Sequence, residues 1–565
     1  MEWRIHQQDR QRVAALAEAI GVKPLLAWIL LNRGINLPDA ARDFLSPSLE
    51  HLRPPSPMAD TDRAVQRLIL ALDRRETIGI HGDYDVDGIT GAALLFRFLT
   101  ALGAACVWHL PHRQREGYGM KPLGVDALRR RGATLILAVD CGVSDFEAID
   151  RAGVVGADVI VIDHHQVPER LPAAVAVLNA QREDCPFHGQ ALSGVGTAFY
   201  LLVALRARLR ELGRIEDKNH NLLSYLDLVA LGTVADVVPL LGLNRTLVLF
   251  GLEQMNRGLR PGIVQLKRVA DLGDQPLTAE HLSFQLAPRL NAAGRLDSAE
   301  PSLRLLLTDD EREAGILAEE LEQQNQTRRK VEERILAEAL RQLEDDPRRA
   351  EQPIVIVDGA GWHIGVIGIV ASRLAETFFR PALVVGVHQG VGKGSLRSVA
   401  GVNIFAAVRN CAELLEAYGG HPMAAGLTVR AEKLDALRAA LVREVGEAFT
   451  EPGRGPTMEV DAEWPLSRCD LALVDELARL KPHGIGNPEP RLCARGVVVR
   501  WAREGRSNSL QLGLQEGGMT VTAYGFRLGP PPQPGDRLDV VYTPARDRYQ
   551  GADSLRVRIR GLKAI

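Results

Sequence analysis

Residues 77–91 read TIGIHGDYDVDGITG. The apolar run Thr77–Ile80 predicts a buried strand, stopped by His81 and followed by aspartates at every second position, Asp83, Asp85 and Asp87. In an extended segment, residues two apart point to the same side, so these four side chains can converge on one small volume. Packing so many carboxylates together is costly unless positive charge sits among them. Gly88 allows a tight turn, and Ile89–Leu102 predicts an apolar helix packing back onto the sheet. Asp-Gly clusters are more often solvated turns. The leading histidine and the buried flanks favour a metal site instead.

A βα rhythm follows. The run Thr134–Val139 ends in Asp140, Cys141 and Gly142, and the run Asp158–Ile162 ends in Asp163, His164 and His165. Helical segments near 122–131 and 144–153 separate the runs, so the strands are predicted to be parallel. Ligands bind such sheets at the carboxyl ends of the strands, where all three runs carry metal-type residues. Carboxylates shared with imidazoles, with no thiolate requirement, fit Mn²⁺ well and Mg²⁺ less well. Adjacent histidines in an extended segment point opposite ways, so only one of His164 and His165 is expected to bind metal. A carboxylate-rich site of this size predicts two ions about 3.5–4 Å apart, activating a water and clamping a phosphate. Cys141 reads as a small buried neighbour of the site, not a nucleophile.

At 565 residues the chain exceeds one core, and three or four domains are expected. A helical segment and strap (1–60) ends in RPPSP at 53–57 and leads into an α/β domain (61–307). Residues 308–346, rich in Glu, Leu, Ala, Gln and Arg, predict one long helix connecting two lobes. A smaller α/β unit (347–450) and, after TEPGRGPT at 450–457, a C-terminal β-barrel (456–565) complete the multidomain α/β class. The net charge of −3 gives no global nucleic-acid signature, so polyanion binding must come from local patches. Residues 491–565 supply one, with 13 Arg and Lys against 6 Asp and Glu, interleaved with Trp501, Tyr524, Phe526, Tyr542 and Tyr549. Cations with aromatics suit single-stranded nucleic acid, through phosphate attraction and base stacking, although some of these rings must be barrel core. Six scattered cysteines without a CxxC pair, no signal-peptide core and no run of about 18 apolar residues point to a reducing cytoplasm and no membrane span.

HGDYDVDG, VDCG at 139–142 and DHH at 163–165 resemble the DHH phosphoesterase superfamily, and DLVALGTVADVVPL at 227–240 resembles its fourth motif. FQLAPRLNAAGRLDSAEPSLRLLLTDD at 284–310, GWHIGVIGIVASRL at 361–374 and GIGNPEP at 484–490 are similar to the RecJ family within it. GGHPMAAGLTV at 419–429 is similar to the DHH-associated domain. The resemblance implies a parallel-sheet DHH domain, a DHH-associated domain and an OB-fold. It also implies a 5′-to-3′ exonuclease for single-stranded DNA in repair and recombination, using two Mn²⁺ or Mg²⁺ ions and releasing mononucleotides.

By motif, His81 and Asp85 are expected to hold one ion and Asp87 the other. Asp140 bridges both, and His164 and Asp227 complete the second site. Asp83 would orient a ligand or the Asp-rich loop, and His165 would stand near the scissile phosphate or orient a partner. Asp227 is preferred over Asp236 because it aligns with the leading Asp of its motif, which leaves Asp236 as a capping or turn carboxylate. Arg113, Arg289, Asn291 and Arg295 are phosphate candidates, and Arg295 serves almost equally well as a helix cap or an interdomain salt bridge. Ser395 and Arg397 in GKGSLRS would receive the 5′ phosphate, although Leu396 between them departs from the small residue expected there. Gly420 lets a nucleotide approach, and His421 would contact the scissile or adjacent phosphate.

The family further implies single-strand DNA-binding protein and a RecQ-type helicase as partners of a cytoplasmic, nucleoid-acting monomer. With the chain ending at Ile565 soon after the barrel, no additional partner-binding domain is expected. Two alternatives remain: a superfamily phosphoesterase for short oligonucleotides or small phosphorylated substrates, and a non-catalytic scaffold. The basic C-terminal segment and the complete ligand set oppose them.

Overall fold

The computed structural model describes residues 2–113, 115–216, 220–448, 457–505, 508–547 and 553–565. Residues 450–456 of the expected linker, and Tyr549, lie outside these.

The strand predicted from Thr77 runs to Gly82 and is the second of five parallel strands, in the order Ala105–His109, Thr77–Gly82, Ala133–Val139, Asp158–Ile162, Ala176–Leu178. One face is buried under helices including Val86–Ala101 and Gly194–Glu211, the other under Pro122–Arg130 and Phe146–Val154. Burial on both faces explains why these strands read as continuous apolar runs. The register sets Gly82 beside Val139 and Val139 beside Ile162. Asp83, Asp140 and Asp163 each follow one of these residues, so a single sheet edge delivers all three.

The long helix spans Glu311–Asp345, about 52 Å at 1.5 Å per residue. It leads to a five-stranded mixed sheet in which only Val355–Ala360 and Ala382–His388 pair in parallel. The C-terminal unit is a closed barrel, because Leu492–Glu504 pairs with both Ser509–Glu516 and Arg537–Asp547. Strand Ser554–Ala564 joins Met519–Phe526 to Arg537–Asp547, which gives the five-stranded circuit of an OB-fold.

The N-terminal segment is not purely helical. Glu2–Ile5 forms a strand paired with Thr457–Val460. Helices Arg10–Ile20, Pro24–Asn32 and Pro38–Leu45 share a core with the barrel. Among the described residues no single helix is long and apolar enough to cross a membrane. None of the six cysteines is in a disulfide.

Candidate metal centre

At the sheet edge the chain leaves the extended state after Gly82, so the two-residue alternation predicted for the aspartates does not continue beyond it. Asp85 is instead the N-cap of helix Val86–Ala101, and its Oδ1 accepts from the Asp87 and Gly88 amides at 3.0 and 3.2 Å. Asp87, in the first helical turn, accepts from the Gly194 and Val195 amides at 2.6 and 2.9 Å. A Cβ on Gly88 would lie 2.5 Å from the Asp83 nitrogen, so only glycine lets the helix start this close to the strand end. Asp140 adopts φ 62°, an uncommon conformation for a non-glycine residue, of the kind that concentrates at functional sites.

Three overlapping triads result: Asp83–Asp85–Asp140, Asp140–His164–His165 and Asp87–His164–Asp236. Within each, one potential ligand atom per residue lies within 4.8 Å of the others. His164 Nε2 is 3.1 Å from Asp140 Oδ1, 3.4 Å from Asp236 Oδ2 and 3.8 Å from Asp87 Oδ2.

Burial, reinforced by neighbouring carboxylates, pushes Asp87 up to about 7 and Asp236 up to about 9. The same two causes raise Asp83 and Asp140 well above the carboxylate range. Asp83 Oδ2 and Asp236 Oδ2 are buried without hydrogen-bond partners. Uncompensated charge, orphaned oxygens and a pure oxygen-and-imidazole donor set fit hard divalent cations.

Two of the residues expected as ligands are elsewhere. His81 lies under helix Pro122–Arg130, with Nδ1 3.7 Å from Cys141 Sγ and Nε2 against Gly124. Burial, then the charge of His109, lowers its pKa to about 3. Asp227 is locked to Arg260 at 2.6 and 3.0 Å. It sits in the first turn of helix Leu226–Ala235, and Asp236 caps the other end. Nine residues on a helix span about 13 Å, so only one of the two can reach the site. The signal for Asp236 was its place where an apolar helix stops.

Asp163, which the sequence reading left without a role, organises the histidines. Its Oδ1 accepts from the His164 and His165 amides at 2.8 and 3.2 Å and from His165 Nδ1 at 2.7 Å, while Oδ2 accepts from the Val143 amide at 3.0 Å. Burial alone would raise its pKa, but His165 and these donors hold it at about 2. Burial likewise works against protonation of His165, and the Asp163 hydrogen bond overcomes it to raise that pKa. Tyr118 Oη closes the group, 2.8 Å from His165 Nε2.

Cations gather beside the carboxylates. Arg113 stacks 4.1 Å from the Tyr84 ring centre. Burial, then the Arg113 charge, lowers Arg295 to about 10 and also lowers Arg397. Arg397 donates to Ser395 Oγ at 3.1 Å. Leu396 is fully buried on the opposite face of its strand and does not crowd the pair.

Arg289, by contrast, is buried in an ion pair with Glu322 at 2.6 Å and donates to Gln285 O, so it faces the long helix. Asn291 Oδ1 accepts from the Val86 amide at 3.2 Å and so braces the helix that carries Asp87. Across the cleft, exposed His421 and Gly420 end strand Ala417–His421, and His421 lines one cavity with His164 and His165.

In the barrel, Tyr542 is core, with its hydroxyl donating to Trp464 O at 2.8 Å. Tyr524 and Trp501 are half-buried beneath Arg556 and Arg503, and Phe526 is exposed. Much of the basic excess is spent on ion pairs, Arg558 and Arg560 both meeting Glu489 and Arg495 meeting Asp539.

Residues 77–233 match the DHH family N-terminal domain, 351–447 the DHHA1 domain and 460–561 the RecJ OB domain. The single-stranded-DNA-specific exonuclease RecJ of Escherichia coli K12 is 39% identical over 489 residues, covering 83% of this chain and 82% of that protein. The Bacillus subtilis protein of the same name is 34% identical over 550 residues, covering 96% and 68%. The crystal structure of RecJ in complex with Mn²⁺ from Thermus thermophilus superposes with a TM-score of 0.85 at 31% identity, over 100% of this chain and 80% of that one. The chain belongs to the RecJ family of the DHH superfamily.

Proposed function

We infer that this chain is a divalent-metal-dependent exonuclease that hydrolyses single-stranded DNA from the 5′ end and releases mononucleotides. The observation that carries this reading is the placement of the overlapping carboxylate–imidazole triads beside the Arg113, Arg295 and Arg397 cluster. Asp83, Asp85 and Asp140 would hold one ion and Asp87, His164 and Asp236 a second, with Asp140 near both. When bound, the ions supply the positive charge that makes a water a competent nucleophile and offsets charge developing on the phosphate.

The remaining work falls to the chain. Ser395, Arg397 and Arg113 form a receptor for a terminal phosphate, through a hydroxyl and two guanidinium forks. His165, whose protonated form the Asp163 carboxylate favours, would stand next to the leaving oxygen, and His421 would meet the phosphate from the second lobe. The barrel draws the strand in by arginines such as Arg500 and Arg503, which make no ion pair among the described residues. In this reading the enzyme acts in the cytoplasm as a monomer, with single-strand DNA-binding protein and a RecQ-type helicase as its partners.

Digestion of single-stranded DNA labelled at either end, with Mn²⁺ or Mg²⁺ and with Asp87→Ala as control, tests the reading. Immediate release of labelled mononucleotide from the 5′ end alone, lost in the variant, is the expected result. Cleavage confined to very short oligomers would replace it with a small-substrate phosphoesterase.

A further inference from the structure

Away from the metal centre, a pocket of about 460 Å³ opens where the N-terminal helices meet the catalytic domain. That volume lies in the range of small-molecule sites. Arg245 lines it and is only 2% exposed. Its Nη2 donates to Arg479 O and Lys481 O, its guanidinium lies 4.0 Å from the Phe44 ring centre, and its Nε is buried without a partner. Arg33 lines the same pocket, donating through Nη2 to Pro488 O at 2.7 Å, with Nε and Nη1 buried and unpartnered.

Neither guanidinium makes an ion pair among the described residues. Asp461, whose charge Arg33 feels, is occupied with Asn32 and the Arg491 amide. Among the described residues Asp43 is the sole acidic lining residue, two-thirds exposed and 3.4 Å from His51. Burial lowers both arginines to about 10, and for Arg245 the charge of Arg33 adds to the effect.

A second feature points the same way. The pocket wall includes the amino end of helix Gly242–Asn256, fifteen residues long, with neither a side-chain cap nor an acidic residue in its first turn. That end carries unsatisfied N–H groups and partial positive charge. Placing two guanidiniums without a direct ion pair beside it raises the electrostatic cost further, and a bound anion lowers it.

We propose that this pocket is a separate anion site that takes a mononucleotide. Its phosphate would sit between Arg33, Arg245 and the amino end of the helix, and its base against Phe44, Leu52, Leu241 and Leu243. The ligand class rests on the exonuclease reading, whose product it is; the anion site does not.

The test is calorimetric titration of the full chain in EDTA with dAMP and, separately, inorganic phosphate. Arg397→Met removes the other phosphate receptor and should leave one dAMP bound. Arg33→Met and Arg245→Met should each weaken that binding by at least about tenfold, a loss of about 1.4 kcal/mol. Because Arg245 also holds backbone carbonyls, Ala40→Trp serves as a second variant, filling the pocket from its exposed rim. It should abolish the site while leaving the rate of DNA cleavage unchanged. Inorganic phosphate should bind more weakly than dAMP, since it lacks a body for the apolar wall. Loss of all dAMP binding in Arg397→Met, or full binding in Ala40→Trp, would overturn the proposal. So would capture of the pocket by an acidic peptide that dAMP fails to displace. Absence of DNA cleavage would sink the exonuclease reading and with it the choice of a mononucleotide, while the anion site would still stand or fall by the phosphate titration.

Discussion

Asp227 accepts both Nε and Nη2 of Arg260 in a buried, forked pair at one end of the helix whose other end delivers Asp236 to the metal centre. Two aspartates of one motif therefore do different work. Asp227→Asn should leave a buried guanidinium without its partner and cost about 3–5 kcal/mol, read as a lower urea midpoint, with Mn²⁺ affinity of the folded fraction kept. Asp236→Asn should do the reverse, losing Mn²⁺ affinity by more than about 100-fold with no loss of stability in chelator. Matching phenotypes would show that the two residues are not separated as described.

Removing metal should make stability depend on pH in a definite direction. In the metal-free fold Asp87 and Asp236 keep protons to about 7 and about 9, through burial and mutual repulsion. The unfolded chain releases those protons near pH 4. The folded state thus binds more protons between those limits, and stability falls as pH rises from about 4 through about 9. Chelated protein should melt higher at pH 5.5 than at pH 8.5, and Mn²⁺ should recover most of the difference by binding only the folded state. Melting curves with and without EDTA decide it.

Asp163→Asn keeps the shape of the side chain but loses an acceptor from a group that takes four hydrogen bonds. His164 and His165 should lose their fixed orientation. Single-turnover cleavage should slow about 10–100-fold, with weaker Mn²⁺ binding. An unchanged rate would remove the orienting role.

Gly88→Ala should be severe for its size. The added methyl would meet the Asp83 backbone nitrogen at 2.5 Å and its oxygen at 2.6 Å, and no flexible side-chain end is there to yield. Cleavage should fall by more than about 100-fold, with a loss of about 1–3 kcal/mol in stability. Binding of single-stranded DNA at the distant barrel should persist in a filter or anisotropy assay.

Arg500 and Arg503 are exposed on the first barrel strand and make no ion pair among the described residues. Changing both to Gln should lower affinity for single-stranded DNA and reduce the slope of log affinity against log salt by about 1.4. Tyr542→Phe, by contrast, should cost stability through its lost hydrogen bond to Trp464 and leave the salt slope unchanged. A salt slope that moves with Tyr542 alone would reverse this assignment.

The parallel sheet was legible because strands buried on both faces are written as apolar runs, and metal-type residues follow three of them at the edge that the topology makes functional. That logic singles out Asp140 and His164, each of which the structure places in two of the three candidate triads. His81 was misplaced because its parity aligns it with Asp83 on paper, although the chain turns at Gly82 and His81 stays beneath a helix. Asp227 was favoured over Asp236 because motif alignment says nothing about which end of a helix points inward. Arg289 shows the same limit: an arginine fork suits a phosphate and Glu322 equally, and only packing chooses. In the barrel, charge and aromatic content were read correctly as composition, yet Tyr542 and the arginines facing Glu489 turned out to be structural.

Gly365 lies so close to the Arg295 carbonyl that a methyl group there would collide with it, so the two lobes meet backbone against backbone at that seam. The proposed phosphate receptor at Ser395 and Arg397 belongs to one lobe and the carboxylates to the other, with the Glu311–Asp345 helix between them. On that proposal such a seam would make the cleft a gauge. On the exonuclease reading, the length of each fragment released would then be set by the gap between the two lobes rather than by the chemistry of cutting. Loosening the seam by one carbon should change what is counted off before it changes how fast.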